Sequence, residues 1–195
     1  MYKPDFQHIR EIVYEKACVL VVLLLFQGCL TSPDANGNAS IEQTFLFEIT
    51  YTNHAWGYQL RGLYIDRQGQ VYSYDHSHAV WQPSDSESYT EEELRQKFGS
   101  QKEVIGTVDE DTLLNMFRLI EPASQGRLSE PVQKCADAGT TAYLAYRFDK
   151  NSKKYIPVLL YQTGDWAQKN LSDSAKILYE WLFTFEGWMP GACTP

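Results

Sequence analysis

Apolar and polar positions along this chain fall into stretches of period two and stretches near period 3.6, parted by loops rich in Gly, Pro, Ser and Asn. Phe45, Phe47, Ile49 and Tyr51 alternate with Thr44, Glu48 and Thr50, which predicts a half-buried strand. Tyr58 to Ile65 predicts a second strand and Val71 to His76 a third. Asp66-Arg67-Gln68-Gly69-Gln70 between them carries hairpin chemistry, with Gly69 free to take the left-handed backbone of a bulged loop. Gln82 to Tyr89 reads as a polar loop. Thr90-Glu91-Glu92-Glu93 is a capping box, starting a short helix that stops near Gly99. A second helix begins around Asp109, sets Leu113, Met116, Phe117 and Ile120 on one face, and ends before Pro122. Ala142, Leu144, Tyr146 and Phe148 mark another strand, Asp149 to Lys154 a polar turn, and Tyr155 to Tyr161 the strand that pairs back. Pro157 has no N–H, so its strand lies at an edge or turns that position outward. Asn170 is placed to cap a last helix whose Ala175, Leu178, Leu182 and Phe185 share a face. The order βββααββα, joined by hairpins, predicts an α+β fold: an antiparallel sheet of about five strands with two or three helices packed on one face.

One segment belongs to none of these patterns. Ala17 to Phe26 is an unbroken apolar run of ten residues behind Lys16. As a helix it would rise about 15 Å, too short for a permanent membrane span and the right length for the apolar core of a secretory signal. The run closes on Phe26-Gln27-Gly28-Cys29, and with Leu25, Gly28 and Cys29 it resembles a bacterial lipoprotein precursor. That resemblance covers residues 16 to 30. It implies cleavage after Gly28, a lipid-modified, palmitate-bearing Cys29 as the new N-terminus, and a place on the outer face of a bacterial membrane. Leu30 after the cysteine, where Asp would retain the protein, implies the outer membrane if two are present. Ordinary signal cleavage near Gly37-Asn38-Ala39 and a buried core helix remain the competing readings. The expected organisation is a signal peptide over 1–28, a lipidated N-terminus and flexible tether over 29–40, and a single α+β domain over 41–195. The tether, Leu30 to Ser40, is polar and would reach about 18 Å as a flexible coil.

Four cysteines follow the same division. Cys18 lies in the leader and Cys29 at the acylation point, leaving Cys135 and Cys193 as a natural pair in an oxidising compartment. A bridge between them would close a loop of about 59 residues, worth about 4 kcal/mol in the chain-entropy model, and would hold the Pro-rich tail. There is no C-x-x-C or Cys/His finger spacing to support a redox motif, haem or zinc finger.

Charge narrows the classes further. The chain carries 25 acidic and 17 basic residues for a formal charge of -8, and removing residues 1–28 leaves that balance unchanged. Without a basic cluster it is no nucleic-acid binder, since phosphate contacts supply most of that affinity. No nucleophile elbow, metalloprotease helix, phosphate loop or dinucleotide fingerprint occurs. His54, His76 and His78 form the one candidate metal set: an H-x-H pair in an extended segment offers two imidazoles to one zinc or copper ion, against a plain reading as solvated hairpin residues. Aromatic residues are abundant, with thirteen Tyr and five Trp. Trp56, Trp81, Tyr89 and Trp166 fall outside the core registers and are candidates for a binding surface, or else for caps on the sheet edge.

These features predict a non-catalytic, membrane-anchored envelope lipoprotein that binds a protein or glycan partner and needs no cofactor. A metal-dependent hydrolase using His76 and His78 is the alternative, and a structural subunit of an envelope assembly the next.

Overall fold

The structure is a computed structural model that describes residues 41–55, 57–76, 80–99, 102–185 and 187. The leader, Cys29, Trp56, His78 and Cys193 lie outside the described residues. Ser40–Pro195 forms one compact unit. Its strands are β1 (Phe45–Asn53), β2 (Gln59–Asp66), β3 (Gln70–Asp75), β4 (Lys102–Thr107), β5 (Val132–Gln133), β6 (Thr140–Asp149), β7 (Lys154–Gly164) and β8 (Trp166–Lys169). Its helices are α1 (Glu91–Phe98), α2 (Glu110–Arg118), α3 (Ile120–Ser124) and α4 (Asp173–Phe183). The fold is α+β, as expected, built on one antiparallel sheet in the order β4-β3-β2-β1-β6-β7-β8-β5. Among the described residues no helix is long and apolar enough to cross a membrane.

The sheet has eight strands rather than about five. Those the sequence pattern did not reveal, β4, β5 and β8, lie toward its two edges, where one side of a strand meets water and alternation loses its meaning. Val104 on β4 is 54% exposed, and Val132 and Trp166 on β5 and β8 are 50% and 45% exposed. Their insertion also changes the element order from the one expected. Pro157 fits its expectation locally, because β8 pairs with β7 only at Tyr161 and Gln162, and the one bridge on the outer side of the first half of β7 among the described residues is Tyr89 to Tyr155, two residues short of the proline.

Helices cover both faces of the sheet, not one. The reason lies at the start of β1, where the register shifts between Phe45 and Phe47. A bulge inserts one residue and reverses which face the preceding side chain takes. Phe47 and Ile49 therefore pack with Leu63, Tyr143, Leu113, Leu178 and Leu182 on the side of α2 to α4. Phe45 instead joins Tyr64, Tyr74, Tyr146, Tyr155, Leu94 and Phe98 under α1. This second core is mostly aromatic, so much of the tyrosine surplus is interior.

Local signals were kept. Gly69 has φ 76° and Asp66 Oδ1 accepts from the amides of Gln68 and Gln70, both at 2.9 Å, closing the predicted hairpin. The predicted helix from Asp109 is capped there, but it breaks at Leu119 and resumes as α3, which contains Pro122. That proline stands in a first turn, where its missing N–H has no partner to lose. The last helix is capped by Ser172 rather than Asn170. Asn170 is buried and donates to the carbonyls of Ala123, at 2.9 Å, and Leu159, at 3.2 Å, stitching α3 to β7.

The capping box on α1 does more than cap. Glu93 accepts from the Thr90 amide at 2.7 Å and from the Ser84 amide and hydroxyl at 2.8 and 2.6 Å, fastening the 82–89 loop to the helix. These donors, the Ser84 hydroxyl first, hold its pKa down at about 2, against an ordinary 4.5. A carboxyl lowered on folding stabilises above its unfolded value and loses that contribution as pH falls through the folded one. Glu93→Gln is expected to cost about 1 kcal/mol at pH 7. The urea midpoints of the parent and variant should converge as pH falls from 5 to 2; parallel curves would remove Glu93 from the account.

Candidate functional site

Of the candidate metal set, His54 and His76 are among the described residues. His54 is exposed after β1, its ring 5.4 Å from that of Tyr58. His76 is half-buried after β3, and its amide donates to Leu60 O at 2.7 Å. β1 and β3 end on the same side of the sheet, but β2 stands between them, which at ordinary spacing separates them by about 10 Å. Among the described residues no three His, Cys, Asp or Glu side chains gather where they could hold a metal. Cys135 follows β5, and its expected partner Cys193 is outside the described residues.

The candidate aromatic residues also part company. Trp81 and Tyr89 meet edge to face with centroids 5.2 Å apart. The Trp81 indole N–H donates to Glu93 O at 3.2 Å, and Lys97 Nζ lies 4.9 Å from the Trp81 ring centre. These two half-buried rings pack over an interior centre. Trp166 is exposed on β8, three strand positions from β1.

That interior centre is a polar cluster. Glu48, wholly buried on β1, is paired with Lys97 of α1, whose Nζ is 2.8 Å from each carboxylate oxygen. Tyr74 from β3 donates to Glu48 Oε1 and Tyr146 from β6 to Oε2. Thr50 Oγ1 lies 2.9 Å from the Tyr74 hydroxyl. Each carboxylate oxygen thus faces two donors, which a carboxylate can accommodate. Burial first, and the Glu48 charge second, push both phenols well above their ordinary pKa. The period-two pattern had assigned Glu48 and Thr50 to solvent. The signal for the pair was available on α1, where Lys97 stands three residues after Leu94 and beside Phe98, on the helix's buried face.

Open to solvent is a cleft of about 460 Å³ between the β2–β3 hairpin, the start of β1 and α1. Thr44, Asp66, Arg67, Tyr72 and Arg95 supply its polar groups. Tyr72 stacks on Tyr64 at 4.9 Å and 18°, and Tyr64 stacks on Phe98 at 4.1 Å and 19°. Tyr64 and Phe98 are buried and Tyr72 only half-buried, so the outermost ring rests on a fixed column. Burial, with the charge of Asp66 next, raises the Tyr72 pKa, and a hydrogen bond to Asp66 adds to the rise. Arg95 pairs with Glu91, which also accepts from Thr44 Oγ1 at 3.2 Å. The cleft therefore combines an aromatic ring with planar guanidinium groups and a carboxylate already positioned by neighbours. The guanidinium groups can donate to, and the carboxylate can accept from, vicinal hydroxyls or amides.

No family model, curated protein or solved structure matches this chain.

Proposed function

We propose that this chain is an envelope lipoprotein, anchored through a lipid on Cys29, whose Ser40–Pro195 unit binds a glycan in the cleft between the β2–β3 hairpin and α1. The observation that carries the binding reading is the supported Tyr72 ring beside Asp66, Arg67 and Arg95. Sugars are held by a ring against their C–H faces and by planar polar groups against their hydroxyls, and this cleft offers both. The aromatic binding surface, read from sequence as Trp56, Trp81, Tyr89 and Trp166, moves in this reading to Tyr72.

The address rests on the apolar decapeptide and the Leu25, Gly28 and Cys29 pattern, which support export and lipid attachment. A Cys135–Cys193 disulfide belongs to the same proposal and is tested by peptide mapping without reduction.

Two measurements test the reading separately. Mass analysis of the protein purified from its native envelope should find an acylated Cys29 at the N-terminus; an intact Met1 sinks the address. The full chain in a non-ionic detergent should bind soluble envelope polysaccharide fragments, and Tyr72→Ala should weaken that binding tenfold or more while leaving the thermal midpoint within a few degrees. Equal binding by the variant sinks the cleft.

A further inference from the structure

A second cleft, of about 310 Å³, opens where the chain leads into β1, between the α2–α3 corner and the end of β6. Its size is at the lower end of small-molecule sites. Phe117, Ile120 and Phe148 give it apolar walls, and Arg118 and Arg147 stand among them. Arg147 Nε is shielded from water and has no hydrogen-bond partner. A buried donor is nearly always paired, and this one has no protein partner among the described residues. Gln43, also in the lining, does not pair with it. Its amide nitrogen donates to Phe45 O and Tyr146 O at 2.8 and 2.6 Å, and its oxygen accepts from the Phe148 amide at 3.2 Å.

The charges of the cleft do not cancel. Lys150 is tied to Glu42 at 2.7 Å, which removes one charge of each sign. Arg118 and Arg147 then face Glu121 alone among the lining residues, and neither arginine forms an ion pair among the described residues. Asp149, beyond the rim, accepts from the Asn151 amide at 2.9 Å and the Ser152 hydroxyl at 2.8 Å, and its charge also acts on Arg147. The lining residues by themselves carry one surplus positive charge, on groups shaped for a planar or tetrahedral oxyanion.

We propose that this cleft binds a small amphiphilic anion, its carboxylate or phosphate head held by Arg147 and Arg118 and its short apolar arm laid against Phe117, Ile120 and Phe148. The site is separate from the glycan cleft and does not depend on it.

The test is calorimetric titration of the full chain in a non-ionic detergent with hexyl phosphate, hexanoate, inorganic phosphate and 1-hexanol. Hexyl phosphate and hexanoate should bind saturably. Inorganic phosphate should bind at least tenfold more weakly, for want of the arm, and hexanol not at all. Arg147→Met should lower the affinity for hexyl phosphate tenfold or more. Arg118→Gln, a change at an exposed position that leaves folding intact, should lower it several-fold. Competition by phosphatidylglycerol vesicles but not phosphatidylcholine vesicles would support the oxyanion site and assign its ligand to a lipid headgroup. Support without such competition assigns it to a free acid or phosphate ester. Equal binding of hexanol and hexyl phosphate, no binding of either anion, or unchanged affinity in the folded Arg118→Gln chain overturns the proposal.

Discussion

Lys97→Met is expected to lower the unfolding free energy by about 3–5 kcal/mol, because it leaves the Glu48 carboxylate buried without its counter-charge. The ammonium it removes is almost wholly buried and touches both carboxylate oxygens. Tyr74 and Tyr146 would remain as donors, but two neutral hydroxyls do not replace a charge in so dry a place. Adding Glu48→Gln should restore at least half of the loss, since an amide keeps an acceptor for the phenols and carries no charge. Urea unfolding at constant m-value measures both; a loss below about 1 kcal/mol in the single variant would refute the buried-pair account. The same cluster fixes the alkaline behaviour. Both phenols have folded pKa values raised by burial and by Glu48, and burial pushes Tyr89 up to about 12. A raised phenol stabilises the fold below its unfolded pKa of about 10 and ceases to as pH climbs through the folded value. Stability should therefore decline above pH 10.

Gly164→Ala is expected to cost about 3 kcal/mol, the overpacking and backbone strain each being worth about 1–3. Gly164 has φ +113°, and a Cβ there would lie 2.1 Å from Gly139 O. The carbonyl cannot easily retreat. Gly139 itself closes on Thr52 O, and its turn is pinned by Ala138 N to Asp165 Oδ1 at 2.9 Å, Asp165 N to Gly139 O at 2.8 Å and Tyr51 OH to Ala138 O at 3.1 Å. The thermal midpoint should fall by about 6–12 °C for a domain of this size. Gly106→Ala, whose added carbon meets nothing within 4 Å, is the matched control and should change little.

What could be read from sequence was whatever neighbours along the chain decide. The Thr90–Glu93 box, the Asp109 cap and the Asp66–Gly69 hairpin are each written within a few residues, and each is present. The faces of the sheet were harder, because one extra residue near Phe45 reverses an alternation that otherwise looks regular. The edge strands were short or exposed enough to carry almost no pattern. Glu48 looked like a solvent position because its counter-charge, Lys97, arrives from 49 residues away. Both clefts escaped for a related reason: Tyr72 and Arg95, or Phe117 and Arg147, become neighbours only after the sheet has formed. Trp81 was legible as an aromatic outside the strand registers, yet nothing local says that a lysine will lie against its ring.

The placing of β1 between β2 and β6 bears on the order of assembly. Its first partner follows within a hairpin, but the other arrives late, as the 98-residue separation of Glu48 and Tyr146 shows. Pairings so distant in sequence close slowly, since the intervening chain must lose its freedom before the contact repays it. Until β6 has been made, the nascent chain has its β1–β4 meander but lacks Tyr146 and Tyr155 of the aromatic core and Tyr143, Leu178 and Leu182 of the other. A chain ending before Thr140 would thus carry β1 with one bare edge, where its second partner belongs.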